Sequence, residues 1–322
     1  MAVSSSPRVV PLRGEMNSSA APAMDPSKQD ELLASVAGNI LERIQNNTLA
    51  LPSMPIAVAR CMALLRENDF SLRQAAQVIE RDPLLAARVL SVSNSAAFGG
   101  LAQVRNVTQA ATRLGADNLR LVLFEVMASH IFISVDSKIR NACHALWQHS
   151  RAVAQTSRQL TLMVGAGEPG EAYLAGLLHD IGKPLIASLL VKAENRLLGT
   201  RTDVWLDPDT WMGIVESGHR PVGVALAEKW MLPESVVTTV ANCSTYDEER
   251  RCSIVNCVRL ANALTKEAGL YVGPVDKSDV EEVLKSGQAV LEMTDDDLNG
   301  VRSELRETSS ETRIPASVAK RT

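Results

Sequence analysis

The sequence predicts an all-α fold of two packed helical lobes. Three observations predict it. Helix start and stop residues recur about every dozen positions along most of the chain. Alternating β-branched runs are few, and the single Asn-Gly pair, Asn299-Gly300, sits in the polar C-terminal part and not between strand-like runs. Aromatic residues make up only 3% of a chain that is 46% hydrophobic, so the core is aliphatic.

The elements follow in order. Residues 1–26 are rich in Ser, Pro and Ala without hydrophobic period and read as a flexible tail. A leading helix falls within 27–50, with Leu33, Val36, Ile40 and Ile44 on one face and Asn46-Asn47 ending it. Pro55 suits a first helical position ahead of Val58, Cys61, Met62 and Leu65. Ser71 can cap a helix carrying Leu72, Ala75, Val78 and Ile79. Asp82-Pro83 is a cap followed by proline at the first helical position, and the helix it opens carries Leu85, Val89 and Val92. Asn106 or Thr108 starts another, closed by Gly115. Asp117 opens a longer one through Val126 and Ile133.

The polar stretch Ser134–Arg140 joins the two lobes. Residues 171–268 again read as helices, with breaks at Gly182-Lys183-Pro184, Leu206-Asp207-Pro208 and Leu232-Pro233. Residues 250–300 supply C-terminal helices completing the second lobe, and 301–322 read as a disordered tail.

Composition narrows the function. The 322 residues carry 33 Lys plus Arg and 37 Asp plus Glu, a net charge of −4, which excludes a strongly basic footprint over the whole chain. Arg105, Arg113 and Arg120 read as a solvated face, since no aromatics interleave with them, and no nucleic-acid partner is expected. The five cysteines, Cys61, Cys143, Cys243, Cys252 and Cys257, are odd in number and form no CxxC pair. That argues against a disulfide framework and for a reducing, cytoplasmic setting. The first residues contain no apolar run of leader type. The most apolar run, Leu174 to Leu190, is interrupted by His179, Asp180 and Lys183, so no membrane span is expected.

The residues that could carry chemistry centre on His179-Asp180, inside Leu177-Leu178-His179-Asp180-Ile181-Gly182-Lys183. An adjacent His and Asp in an apolar helix are costly unless both are satisfied. Gly182 and Pro184 should end that helix just after the pair, where both side chains can turn to one ion. His149 is the partner histidine, beside the face defined by Leu146, Ser150, Val153, Ser157 and Leu160. The same three residues could instead form a metal-free polar cluster. Lys183 could be a helix C-terminal charge, and His219 a solvated helix-start residue before Pro221. Cys243 reads as a buried structural thiol.

The motifs taken together resemble the HDOD domain, a signalling relative of the HD and HD-GYP metal-dependent phosphohydrolases. The resemblance rests on Leu51-Pro52-Ser53-Met54-Pro55, on Asp82 through Leu90, and on Asn94-Ser95-Ala96-Ala97-Phe98-Gly99. It continues in Leu114-Gly115, Trp147-Gln148-His149-Ser150, the LLHDIGK segment, and His219 through Trp230 with Leu232-Pro233. It implies an HDOD domain over 51–249, with a first lobe at 51–135 and an HD-like second lobe at 136–249.

By the same resemblance His149, His179 and Asp180 are the ligands of a possible divalent metal, Fe, Mn or Zn. Lys183 is the catalytic cation if the protein is active. The pattern's final ligand Asp is replaced by Asn262, a weaker donor, and the His-His pair of the two-metal relatives falls at Asn242-Cys243. The incomplete set implies a bacterial regulatory protein acting through signalling partners, with a nucleotide as a possible ligand, rather than by turnover. The alternative is a weakly active metal-dependent phosphohydrolase.

Overall fold

The protein is described from a computed structural model covering residues 38–39, 42–43, 46, 48–65, 71–95, 98, 102–198, 208–271 and 275–312. The expected tail at 1–26 lies outside these residues, and of the leading helix only 38–39 and 42–43 are described as helical. Among the described residues every regular element is an α-helix.

The first lobe comprises α1 (Ile56–Leu64), α2 (Leu72–Ile79), α3 (Pro83–Ser93) and α4 (Val107–Phe132). Asp82 caps α3 as its sequence requires, its carboxylate accepting from the Leu84 and Leu85 amides at 3.1 Å. Ser71 precedes α2 but its hydroxyl makes no capping bond. Asn106, and not Thr108, caps α4, accepting from the Gln109 amide at 2.9 Å. Gly115 interrupts α4 with φ 71° and ψ 175°, so the two helices expected there run end to end across a kink that favours glycine.

The second lobe is built from α5 (Ser137–Val164), α6 (Pro169–Leu178), α7 (Gly182–Leu198), α8 (Pro208–Lys229), α9 (Glu234–Asn242) and α10 (Ile254–Glu267). The helices α11 (Lys277–Val290) and α12 (Asp295–Thr312) complete it. The disordered tail expected over 301–322 is corrected for 301–312, and its residues 313–322 lie outside those described. α12 continues through Thr312 because Val301 and Leu305 are buried in the core, which outweighs the polar surroundings that suggested disorder. The break expected at 182–184 is also displaced. The chain turns at 179–181, and Pro184 lies in the first turn of α7, where its missing amide costs nothing.

One continuous hydrophobic cluster runs from Val58 in the first lobe to Leu305 in the second, so the lobes share a core. The close-packed pair α5 and α6 lies at its centre. A Cβ on Gly176 would sit 2.9 Å from the Ala154 Cα, so the two helices meet at a distance only glycine permits. The far end of the second lobe clamps the start of the first. Lys229 Nζ donates to the Leu51 carbonyl at 2.7 Å and Trp230 Nε1 to the Pro52 carbonyl at 3.2 Å. Asn94 pairs both ways with the Val104 backbone, at 2.8 and 2.9 Å, and so closes the loop after α3.

One stretch, Pro169–Lys192, is long and apolar enough by composition to cross a membrane. It is mostly buried inside the protein and is broken by the turn at 179–181, which is how a core element behaves.

Candidate metal centre

The site forms where α6 hands over to α7. α6 ends at Leu178, and His179, Asp180 and Ile181 make the turn, fixed by the Lys183 amide donating to the Asp180 carbonyl at 2.9 Å. α8 crosses directly over this turn. A Cβ on Gly182 would lie 1.8 Å from the His219 carbonyl oxygen, so glycine is what lets the His219 backbone approach. His219 thereby enters the site from mid-helix, buried at 4% exposure, and not as a solvated helix-start residue.

Three histidines share one design. His149 Nδ1 lies 2.7 Å from the Leu270 carbonyl, His179 Nδ1 2.8 Å from that of Gly176, and His219 Nδ1 2.7 Å from that of Glu216. A carbonyl only accepts, so each Nδ1 carries its proton, and in the neutral ring each Nε2 presents a lone pair. All three Nε2 atoms are buried without a hydrogen-bond partner. His179 Nε2 faces Asp180 Oδ2 at 3.4 Å, and His219 Nε2 faces Asp180 Oδ1 at 3.5 Å. Lone pairs converging on a carboxylate call for a cation among them.

One nearby cation belongs to the chain. Lys183 Nζ lies 3.1 Å from Asp180 Oδ2, 2.8 Å from Glu216 Oε1 and 3.2 Å from the Tyr271 hydroxyl. It sits in the first turn of α7, so the expected helix C-terminal charge is corrected to a buried ion-pair partner. Tyr271 closes the outer side. Its ring meets His149 edge-on at 5.1 Å, Lys266 lies over its face at 4.7 Å, and its hydroxyl lies 3.4 Å from Glu216 Oε1.

The electrostatics follow from burial and these neighbours. Burial, reinforced by His179, pushes His149 down to about 3, so the ring is neutral. Burial would raise the Asp180 carboxyl, but His179, Lys183 and His219 hold it well below the ordinary carboxylate range. Burial would likewise release the Lys183 proton, but Asp180, Tyr271 and Glu216 hold it on. His219 is pushed down by burial against the pull of Asp180.

His149, His179 and Asp180 each place one donor atom within 4.8 Å of the others, all three buried. Bare imidazole nitrogens with fixed tautomers beside an ionised carboxylate fit one divalent cation, and this donor set suits Zn, Fe or Mn. Asn262 lies on α10, which packs along α5, and its buried Oδ1 has no hydrogen-bond partner. Cys243 is buried at the end of α9, and the Arg220 guanidinium donates to its Sγ at 3.0 Å. His130 and His144 are exposed.

Sequence reasoning missed three members. Glu216 lies one turn before His219 on the same helix, a spacing that could have drawn attention to it. Tyr271 and Lys266 carry no local signal. They arrive through the same segment as Leu270, which is 121 residues from His149 along the chain.

An all-helical two-lobe frame with an HD-type cluster at a helix junction defines the class of protein. The HDOD domain profile matches residues 51–246, well over half of the chain, and the chain belongs to the HDOD family. It is 26% identical over 209 residues to an uncharacterised protein of Treponema pallidum (strain Nichols), covering 64% of this chain and 39% of that one. The match thus spans about two-fifths of that relative's length.

Solved structures with the same fold include a candidate metal-dependent phosphohydrolase of Shewanella amazonensis SB2B. It has TM-score 0.66 and 20% identity, over 87% of this chain and 99% of that one. An HDOD domain protein of unknown function from Geobacter sulfurreducens has TM-score 0.61 and 22% identity, over 86% and 96% of the two chains. A candidate signal transduction protein of Marinobacter aquaeolei VT8 has TM-score 0.52 and 21% identity, over 85% and 66%.

Proposed function

We propose that this is a bacterial, cytoplasmic regulatory protein that acts by binding signalling partners and does not turn over substrate. The observation that carries the reading is the closure of the HD cluster. His149, His179, Asp180, Lys183 and His219 are each at most 5% exposed. Catalytic metal sites keep a coordination position open to substrate, whereas structural ones are closed. Here Lys183 supplies a positive charge to Asp180 from within, and Tyr271 with Glu216 covers the outer side.

The ion that His149, His179 and Asp180 would hold supplies Lewis acidity when bound. The chain's own groups then do three things. The Nδ1 bonds fix the ring orientations, Lys183 retains its proton on Nζ, and the Tyr271 ring excludes solvent from His149. With the pattern's fourth ligand, a carboxylate, replaced by Asn262, the cluster serves to pin α5, α6, α7 and α8 together.

The test is hydrolysis of bis(p-nitrophenyl) phosphate by wild-type protein loaded in turn with Mn²⁺, Fe²⁺ and Zn²⁺, with His179→Ala alongside. The expected result is no hydrolysis above that of the variant. Metal-dependent hydrolysis that His179→Ala abolishes would establish the phosphohydrolase reading instead.

A further inference from the structure

A second charged region lies some way along α5, where the two lobes meet. A cavity of about 770 Å³ opens between α3 and α4 of the first lobe and α5, α6 and α12 of the second. That is well inside the roughly 300–1,000 Å³ typical of small-molecule sites. Its floor holds Glu125, a carboxylate with 9% side-chain exposure, which meets Arg88 Nη2 at 2.6 Å and Arg151 Nε at 3.2 Å. Both arginines approach the same oxygen, Oε1, and the buried Arg151 Nε makes no well-directed hydrogen bond. Arg158 lines the same cavity, is exposed, and forms no ion pair among the described residues.

The cavity therefore carries three guanidiniums against the carboxylates of Glu125 and Glu304. Each guanidinium has five donors in a planar fork suited to phosphate, and one carboxylate oxygen engages only a fraction of them. Arg88 comes from the first lobe, and Arg151 and Arg158 from the second. Arg151 and Arg158 are two helical turns apart on one face of α5, about 10 Å along its axis. An anion longer than one phosphate group can engage both without either side chain folding along the helix toward the other. Two aromatic rings, Phe98 and Tyr173, line the same space, and aromatic rings are suited to pack against a planar base.

We propose that this interlobe cleft binds a nucleotide, its phosphates held by Arg88, Arg151 and Arg158 and its base against Tyr173 or Phe98. The ligand draws guanidiniums of both lobes onto one anion, in competition with Glu125. It thereby couples occupancy to the way the lobes pack, which is what a regulatory protein requires. The inference is independent of whether the HD cluster turns over substrate, because no residue is shared.

The test is isothermal titration calorimetry on the full chain at low salt, with inorganic phosphate, ATP, GTP and cyclic di-GMP as probes. At least one nucleotide is expected to bind with one-to-one stoichiometry, and more tightly than phosphate. Arg158→Glu is expected to weaken it at least about tenfold with an unchanged circular dichroism spectrum, since Arg158 is exposed and forms no ion pair among the described residues. Arg151→Lys keeps the charge but loses the fork and should weaken it about threefold or more. Lys266→Ala, at the mouth of the HD cluster, should leave binding unchanged. The proposal is overturned if no probe binds at about 1 mM, a concentration at which even weak specific binding registers. It is equally overturned if phosphate binds as tightly as every nucleotide, if Arg158→Glu has no effect, or if Lys266→Ala abolishes binding.

Discussion

At Asp180 a buried carboxylate meets a buried ammonium, with side-chain exposures of 4% and 6%, while at Glu125 a buried carboxylate meets two guanidiniums that are each about one-third exposed. Both regions lie along α5, and both set a buried carboxylate among several nitrogen groups. In the first, Tyr271 and Glu216 finish the enclosure and the chain supplies its own countercharge. In the second, three guanidiniums share the cavity with two carboxylates, Glu125 and Glu304, and the cavity gives solvent access to the excess. Charge that is paired and enclosed holds a fold together. Charge that is unpaired and accessible is available to a ligand.

The sharpest way to break this contrast is to remove the enclosed cation. Lys183→Ala leaves the Asp180 carboxylate buried without its ammonium and should cost ~3–5 kcal/mol of stability, read by urea unfolding. Removing Arg88 should cost far less, about 1 kcal/mol, because its side chain is 37% exposed and Arg151 remains beside Glu125. Equal losses at the two sites would erase the distinction.

A smaller effect is expected at the crossing of α7 and α8. Gly182→Ala drives a methyl group into the His219 carbonyl, so the helices must separate, at a cost of about 3 kcal/mol. The crossing also aims His219 at Asp180, so the variant's His219 resonance should shift in histidine-selective NMR. An Ala variant as stable as wild type would contradict the packing.

Next comes the missing carboxylate. Asn262→Asp restores a charged oxygen ligand and should tighten Mn²⁺ binding about tenfold, or about 1.4 kcal/mol, measured by metal titration. No change would remove Asn262 from the site.

The least effect belongs to a charge pair exposed on both sides. Arg251→Ala breaks a pair with Glu292 whose side chains are 51% and 74% exposed. It should shift thermal unfolding by the equivalent of less than about 1 kcal/mol.

Much of this was legible in the sequence, and the reasons differ from place to place. Local chemistry announced itself. Asp82-Pro83 opens α3, Gly115 breaks α4, and Pro233 precedes α9, because caps and φ preferences act within a turn of the residue that causes them. The pairing of His149 with His179 and Asp180 followed from the family pattern, and the structure brings donor atoms of all three together.

What the sequence concealed was set at long range. Pro184 and Gly182 look like a helix stop, yet the α8 crossing makes them a helix start, and only the close approach of His219 reveals it. Tyr271 reaches His149 from the far end of α10 and the turn after it, so no spacing rule could predict the closure. Residues 301–312 look like a polar tail, and their helicity depends on Val301 and Leu305 finding a core made by other helices. Nothing in the spacing of Arg88, Arg151 and Arg158 announces that they share a cavity.

The division between an enclosed cluster and an open cleft is tested most directly by a crystal structure of the full chain grown with Mn²⁺ and the nucleotide that binds most tightly. The account predicts any Mn²⁺ on the Nε2 atoms of His149 and His179 and on Asp180, with Tyr271 in place over them. It predicts the nucleotide phosphates against Arg88, Arg151 and Arg158. A nucleotide whose phosphate sits on the Mn²⁺, with Tyr271 displaced, would contradict it and make the HD cluster the working site.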